Sequence, residues 1–342
     1  MSRRVWCNVE SISIAFNGLC VTQDPIYRDW LLGEAARKSG FVISPIGDKC
    51  TRLHVEINYS SEKSPKNFRG IPRENRVLFA LEPRAVLPMQ HRKRVRRRFG
   101  LVLVSSPNQV HSPTDVYFDF GFLFPKEQVA SELPRKMRSV AMLNANKSSF
   151  VSGSQYNVRK SLIKKLARTG FSVTIAGAGW ERSFPAQILD SVRSLLFCIS
   201  QGEWPDVTRF SMPIKLSLPN VEFSGVVADG DLFYRQHEFA LIVENDPQYI
   251  SEKLFHALES GCVPLYLGPK LQTIGVPESL IVDLSKESES SLSMLLRSDA
   301  PQKDLVRKAG KSYMTDPGVQ EYWSHRSGVL RFFSSLREYL NK

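Results

Sequence analysis

The apolar residues of this chain fall mainly into short continuous runs, separated by longer stretches with helical spacing. Residues 76–81 (RVLFAL), 101–105, 139–143, 171–176 and 239–243 are such runs. Each suits a strand covered on both faces, as in a parallel sheet. Residues 27–39 and 156–169 repeat apolar positions at helix spacing, and Gly40 and Gly170 stand where those helices should stop. Residues 5–16, with Asn17-Gly18 as a turn, and residues 41–43, 53–57 and 221–223 add strand candidates. Strands alternating with helices predict βαβ units and an α/β fold.

The length, 342 residues, favours two cores over one. The polar stretch 132–138 contains Pro134 and is read as the linker, giving domains at 1–134 and 135–312. Residues 321–342 read as a basic amphipathic helix around Leu330, Phe333, Leu336 and Leu340, despite Gly328. The tail from 313 to 342 is therefore expected to pack across the domains or to lie on a membrane surface. The aromatic run 117–125 is expected in a core or between domains, 63–70 as loop, and 285–297 as polar with a helical end. Residues 183–218 give no assignable pattern.

The most informative stretch is 239–269, FALIVENDPQYISEKLFHALESGCVPLYLGP, with its last glycine-proline pair as punctuation. The apolar run 239–243 is followed by a polar loop with Pro247. Ile250, Leu254, Ala257 and Leu258 then mark one helix face. Ser251 is the expected cap, Gly261 the expected left-handed terminator, and 262–267 the next buried strand. Helix entrances at strand ends in open α/β sheets attract anions. Lys253 lies in the first helical turn, where a cation is misplaced by a few tenths of a kcal/mol unless an anion sits beside it. A solvated lysine accounts for the position equally well.

The net charge of +12 attracts phosphates, nucleic acid or anionic lipid without choosing among them. Much of it lies in Arg92-Lys93-Arg94 and Arg96-Arg97-Arg98. A solvated helix face explains that run, and peripheral attraction to an anionic membrane is the alternative. No aromatic stacking pattern or reader motif accompanies it, so nucleic acid is not an expected partner. The five cysteines (Cys7, Cys20, Cys50, Cys198, Cys262) are odd in number and have no CxxC or Cys/His pairing. They are expected as reduced thiols. No apolar run approaches the roughly 18–20 residues that span a membrane, and Glu10 interrupts the start before a leader forms. The expected location is cytoplasmic, with the inner face of the membrane as an extension of it.

Glu244-Asn245, Tyr249-Ile250-Ser251-Glu252-Lys253-Leu254, Ala257, Gly261, Val263-Pro264 and Gly268-Pro269 resemble the donor-binding signature of glycosyltransferase family 10, the α-1,3/α-1,4-fucosyltransferases that use GDP-fucose. The resemblance covers about thirty residues at the family's spacing. Two positions depart from it: Val243 where the family usually has Phe, and Asp246 where it has Ser or Thr. The resemblance implies a GT-B fold, two Rossmann-like domains facing a cleft, and inverting transfer of fucose from GDP-fucose to a hydroxyl of a glycan acceptor. It implies that Lys253 neutralises the diphosphate, that Glu252 accepts from ribose hydroxyls, and that Asn245 and Tyr249 line the donor pocket. The segment Asn157-Val158-Arg159-Lys160 resembles the family stretch whose arginine binds the diphosphate, which assigns that role to Arg159. Lys160, Lys164 and Lys165 are nearby competitors for the same role and are read as solvated. The run ending at Glu82-Pro83 resembles the stretch whose glutamate serves as general base. A surface glutamate at a strand end is the alternative for Glu82.

Asp229-Gly230-Asp231 has the form by which other transferases hold a divalent metal, but its composition is that of a turn. No metal or other cofactor is expected beyond the donor itself. Gly177-Ala178-Gly179 has Arg182 where a dinucleotide fingerprint needs its third glycine, and no P-loop or serine-hydrolase motif is present. Two rival readings stay open: the same scaffold with another nucleotide-sugar, and a nucleotide- or polyanion-binding protein without transfer.

Overall fold

The computed structural model describes residues 12–17, 35–43, 51–59, 68, 70–118, 136–210, 219–287, 293–294 and 301–342. Expectations for Cys7, Cys20 and Cys50, and for residues 5–11, 27–34, 63–67, 119–125, 132–135 and most of 288–297, lie outside these residues. The chain divides into two compact units. One comprises Met1–Glu82, Met89–Gly121 and His325–Lys342; the other comprises Pro83–Pro88 and Phe122–Ser324.

The first unit carries strands β1 (Ile12–Asn17), β2 (Phe41–Ile43), β3 (Leu53–Ile57), β4 (Arg76–Ala80), β5 (Leu101–Val104) and β6 (Asp115–Tyr117). They form one sheet in the order β2-β1-β3-β4-β5-β6, and every ladder is parallel. Two helices of a single turn, α1 (Ala35–Lys38) and α2 (Lys93–Arg96), lie between the strands. β3 and β5 are buried throughout, and β4 along all but its first residue, as their unbroken apolar runs require. One core joins Phe41, Val55 and Phe79 to Phe332, Phe333 and Leu336, and another gathers Tyr59, Phe68, Val95 and Phe99. Phe332 and Phe333 come from the last helix, His325–Leu340. Their rings lie 5.2 Å from Phe79 and 5.3 Å from Phe41. The apolar face of the tail is thus spent on the core of the first unit.

The second unit carries β7 (Lys136–Leu143), β8 (Ser172–Ala176), β9 (Val221–Phe223), β10 (His237–Val243), β11 (Val263–Leu267) and β12 (Val282–Asp283). Its helices are α3 (Tyr156–Arg168), α4 (Phe184–Ser200), α5 (Gly230–Arg235), α6 (Lys253–Glu259), α7 (Pro301–Thr315) and α8 (Pro317–Trp323); the helix at His325–Leu340 is α9. The sheet order is β12-β11-β10-β7-β8-β9, again all parallel. The chain starts at β7, winds outward through β8 and β9, then returns to the other side of β7 to lay down β10, β11 and β12. The direction of winding reverses between β7 and β10. Ligands of open α/β sheets bind outside the carboxyl ends of the strands at such a reversal.

Two differences from the sequence reading concern helices. Residues 184–200, without an assignable pattern, form α4, and residues 301–315 form α7. The helix expected from 321 is broken at Ser324, because Asp316 caps α8, which ends at Trp323, and a new helix starts at His325. Among the described residues no helix is long and apolar enough to cross a membrane.

Candidate functional site

The strand, helix and strand of 239–269 are β10, α6 and β11, paired parallel in register from Phe239↔Val263 to Val243↔Leu267. β10 is buried along its whole length and Gly261 is left-handed at φ 69°, so the chain turns where the sequence places the turn. The helix entrance differs. Glu252, not Ser251, holds the N-cap position, and no side chain caps it. The Ser251 backbone N–H instead donates to Glu244 Oε1 at 2.9 Å.

Glu244 is 2% exposed. Burial pushes its carboxyl up to about 7, against Lys253 and the Ser251 bonds, which pull it down. Gly268 makes this arrangement possible: a Cβ there would lie 2.8 Å from Glu244 Cγ and closer still to the Tyr266 ring. Between pH 4.5 and about 7 the native state therefore holds a proton that the unfolded chain has lost. Stability from this group is full below 4.5 and falls as the pH rises through about 7. We expect Glu244→Gln to remove about 2–3 kcal/mol of this pH dependence, read as the wild-type minus variant difference in urea unfolding at pH 5 and pH 8. A difference that stays flat with pH would mean Glu244 titrates normally.

Arg159 lies on α3 and is 2% exposed. Its Nη2 donates to Val243 O at 2.9 Å and to Asn245 Oδ1 at 2.9 Å, and the guanidinium lies 5.1 Å from the centre of the Tyr156 ring. Burial lowers its pKa, while Tyr156, Glu244 and Tyr234 act to raise it. The sequence named Arg159 and Asn245 separately, and the structure joins them at the carboxyl end of β10. The Gln155 N–H donates to Asn245 O at 3.1 Å, fixing this turn against the start of α3. Lys160, read as solvated, is instead 4% exposed, and burial first, then Lys164 and Arg159, bring its pKa down to about 8.

Lys253 Nζ lies 3.2 Å from Glu252 Oε1, and its side chain is 21% exposed, enough to meet a ligand. Glu252 is about half exposed. Burial acts to raise its carboxyl, but Lys253 and neighbouring donors hold it below the ordinary range. Tyr249 is half-buried in the turn after Asp246, its N–H bonded to Asp246 O. Asp246, the departure from the family pattern, is buried. Its Oδ1 accepts the Gln248 N–H at 2.9 Å, the Ala85 N–H also bonds it, and burial raises its pKa. Its charge is absorbed by this turn.

At the neighbouring strand end the loop after β7 is drawn tight. The Asn144 N–H donates to Ala176 O, Trp180 Nε1 donates to Asn144 O at 2.6 Å, and a Cβ on Gly177 would lie 2.3 Å from Asn144 O. Asn144 Oδ1, Ser154 Oγ and Gln155 Oε1 are buried there without a protein partner. Buried polar atoms left open cost stability, and these three follow the carboxyl end of β7 and precede α3.

Glu82 lies in the first unit, just past β4 and half-buried. Its backbone is held from both sides. Asn58 Oδ1 accepts the N–H groups of Leu81 and Glu82, each at 3.1 Å. Glu82 O accepts from Gln90 Nε2 at 2.6 Å and from His91 Nε2 at 2.9 Å. Arg96 Nη2 stands 2.8 Å from His91 Nδ1. Arginine only donates, so Nδ1 is the acceptor and the imidazole proton is on Nε2, facing Glu82 O. Arg96 is itself buried and paired with Asp115 at 2.7 Å, so this member of the basic run is structural and not part of a solvated face. Asn58, Gln90, His91 and Arg96 do not stand out in the sequence as supports of this turn. An Asn directly after a strand was the available signal, since Asn tolerates the positive φ it adopts here, 55°. We expect Asn58→Ala to free two buried N–H groups and cost about 2–3 kcal/mol of stability. Hydrogen exchange at Leu81 and Glu82 should accelerate while exchange in β10 stays unchanged; equal acceleration in both would show that Asn58 does not act locally.

Asp229 caps α5 by accepting the N–H groups of Asp231 and Leu232, and Asp231 pairs with His256 at 2.9 Å. The triplet is a capped turn whose carboxylates are engaged. Among the described residues no group of three His, Cys, Asp or Glu side chains converges.

No protein-family profile matches the chain, and no curated protein matches it in sequence. Solved structures do match. The Anabaena HepE structure in complex with UDP and glucose superposes with a TM-score of 0.57 at 9% identity, covering 96% of this chain and 100% of that one. An α1,3-fucosyltransferase with GDP superposes with a TM-score of 0.55 at 10% identity, covering 100% and 94%. Another α1,3-fucosyltransferase structure gives a TM-score of 0.53 at 11% identity, covering 100% and 93%. The chain has the GT-B fold. The two six-stranded parallel sheets are those of its Rossmann-like halves, and the winding reversal between β7 and β10 belongs to one of them.

Proposed function

We propose that the protein is an inverting glycosyltransferase that transfers fucose from GDP-fucose to a hydroxyl of a glycan acceptor. The observation that carries this reading is the set of signature residues gathered at the carboxyl end of β10, where Arg159, Asn245, Glu244 and Lys253 form one charged cluster. The likeness to structures bound to UDP and to GDP supports a nucleotide-sugar donor at this position.

Lys253 meets the diphosphate, and its charge stabilises the departing GDP. Arg159 holds Asn245 in place and adds positive potential beneath it. Glu252, half exposed, accepts from the ribose hydroxyls, and Tyr249 with Asn245 borders the nucleotide. Glu82 is the base. The acceptor oxygen attacks the anomeric carbon as its proton passes to the Glu82 carboxylate. The bond from that carbon to the diphosphate oxygen breaks, and GDP leaves with the electron pair. We assign no metal to this reaction, because Asp229 and Asp231 are committed to a cap and to His256. The cytoplasmic placement belongs to the same reading.

Calorimetry with GDP tests the donor site. Lys253→Ala should weaken GDP binding by about 1.5–3 kcal/mol, the range of a charge-assisted contact, with an unchanged thermal midpoint. Unaltered affinity would remove Lys253 from the site. The likeness to the UDP-bound protein favours a second reading, the same chemistry with a different nucleotide-sugar. Slow release of UDP from a UDP-sugar, with none of GDP from GDP-fucose, would select it.

A further inference from the structure

Helix α4 is turned inside out. The side it presents to its own unit is largely polar and small, with Leu195 and Cys198 packed on Phe150 and Val151: Gln187 and Ser191 are buried, Ser194 Oγ donates to Ser148 O at 2.7 Å, and Asn146 Nδ2 donates to Gln187 Oε1 at 3.3 Å. Its large apolar residues face outward. Leu189, Val192, Leu196 and Ile199 are all exposed, Leu196 by 60%. They recur at intervals of three, four and three residues, the spacing of a seam that packs against another helix. Beyond the helix, Trp204 is 93% exposed and Val207 72%. That segment is held in place by bonds from the Glu203 N–H to Cys198 O and from the Asp206 N–H to Phe150 O. Together the six side chains present on the order of 700 Å² of apolar surface. This exceeds the roughly 300–600 Å² of the largest patch on a typical monomer and approaches the ~800 Å² per partner of a standard interface.

We propose that this face docks a second copy of the same chain, with the two α4 helices antiparallel about a twofold axis near Val192. The charge pattern favours a copy over a membrane. The exposed face carries no unpaired cluster of cations for anionic lipid: Arg182 and Arg193 share Asp190, and Arg209 pairs with Asp206. Asp190 and Arg193 flank the middle of the stripe with opposite sign. An antiparallel copy therefore brings each arginine to the partner's aspartate, the self-complementarity that a twofold interface needs. The intramolecular Arg193–Asp190 contact is long, 3.6 Å, and the Arg193 side chain is 69% exposed, so it is available for that exchange.

Sedimentation equilibrium on the full chain tests the proposal. The wild type should run as a dimer, and Leu196→Glu as a monomer with an unchanged far-ultraviolet circular dichroism spectrum and unchanged GDP affinity. Asp190→Arg and Arg193→Asp should each weaken the dimer about tenfold, and the double exchange should restore it. Val192→Cys should form a disulfide-linked dimer under mild oxidation that the wild type does not form. A monomeric wild type, or a dimer indifferent to Leu196→Glu, overturns the proposal. So does a monomer whose binding to anionic vesicles is lost in Leu196→Glu, an outcome that would give this face to a membrane.

Discussion

Glu82→Gln is expected to lower the transfer rate by about 10²–10⁴-fold, the usual cost of losing a general base, while leaving GDP affinity unchanged. The amide keeps the shape of the side chain but cannot take up the acceptor proton. The backbone of residue 82 should not move, because its N–H is held by Asn58 and its carbonyl by Gln90 and His91. The groups assigned to the nucleotide all lie in the other unit, so donor binding reports on them independently. In the wild type the rate should rise with pH through a carboxylate ionisation, and that limb should vanish in the variant. Transfer by Glu82→Gln at the wild-type rate would give the base to another residue. An unfolded variant would make Glu82 structural.

Arg159→Ala should be the most destabilising single change at the site, by about 3–5 kcal/mol. Removing it strips two hydrogen bonds from the end of β10 and takes away a buried charge that interacts favourably with Glu244. Arg159→Lys should recover only part of the loss, since the ammonium ends on a stem of different reach and lacks the planar guanidinium that lies over the Tyr156 ring. Urea unfolding measures the stability, and GDP titration of the residual folded protein measures the site. If Arg159→Ala kept wild-type stability but lost GDP binding, the guanidinium would be a direct phosphate ligand and not a support for Asn245.

Much of the second unit was legible because its strands are buried on both faces. An unbroken apolar run such as 239–243 has few other uses, and Gly261 marks the turn that follows it. The assembly of the site was less legible. Arg159 and Asn245 are 86 positions apart, and nothing local announces that one holds the other. The helix entrance was misjudged because Ser251 looks like a cap, whereas the acceptor that reaches the backbone is Glu244, seven positions earlier. Residues 184–200 resisted reading for a different physical reason: helix α4 hides its polar residues and shows its apolar ones, so the pattern that normally identifies a surface helix is reversed. Arg96 was lost among its neighbours, because composition does not separate the one buried arginine of a basic run from those around it.

The first unit is assembled from the two ends of the chain. Phe332, Phe333 and Leu336 are translated long after Phe41, Val55 and Phe79, yet they complete the core around those residues. The second unit, apart from the short segment Pro83–Pro88, is one continuous span from Phe122 to Ser324. During synthesis that span can close while the sheet translated before it still waits for its final helix. The sheet that is made first is therefore closed after the second unit, and its apolar face stays open while that unit is synthesised.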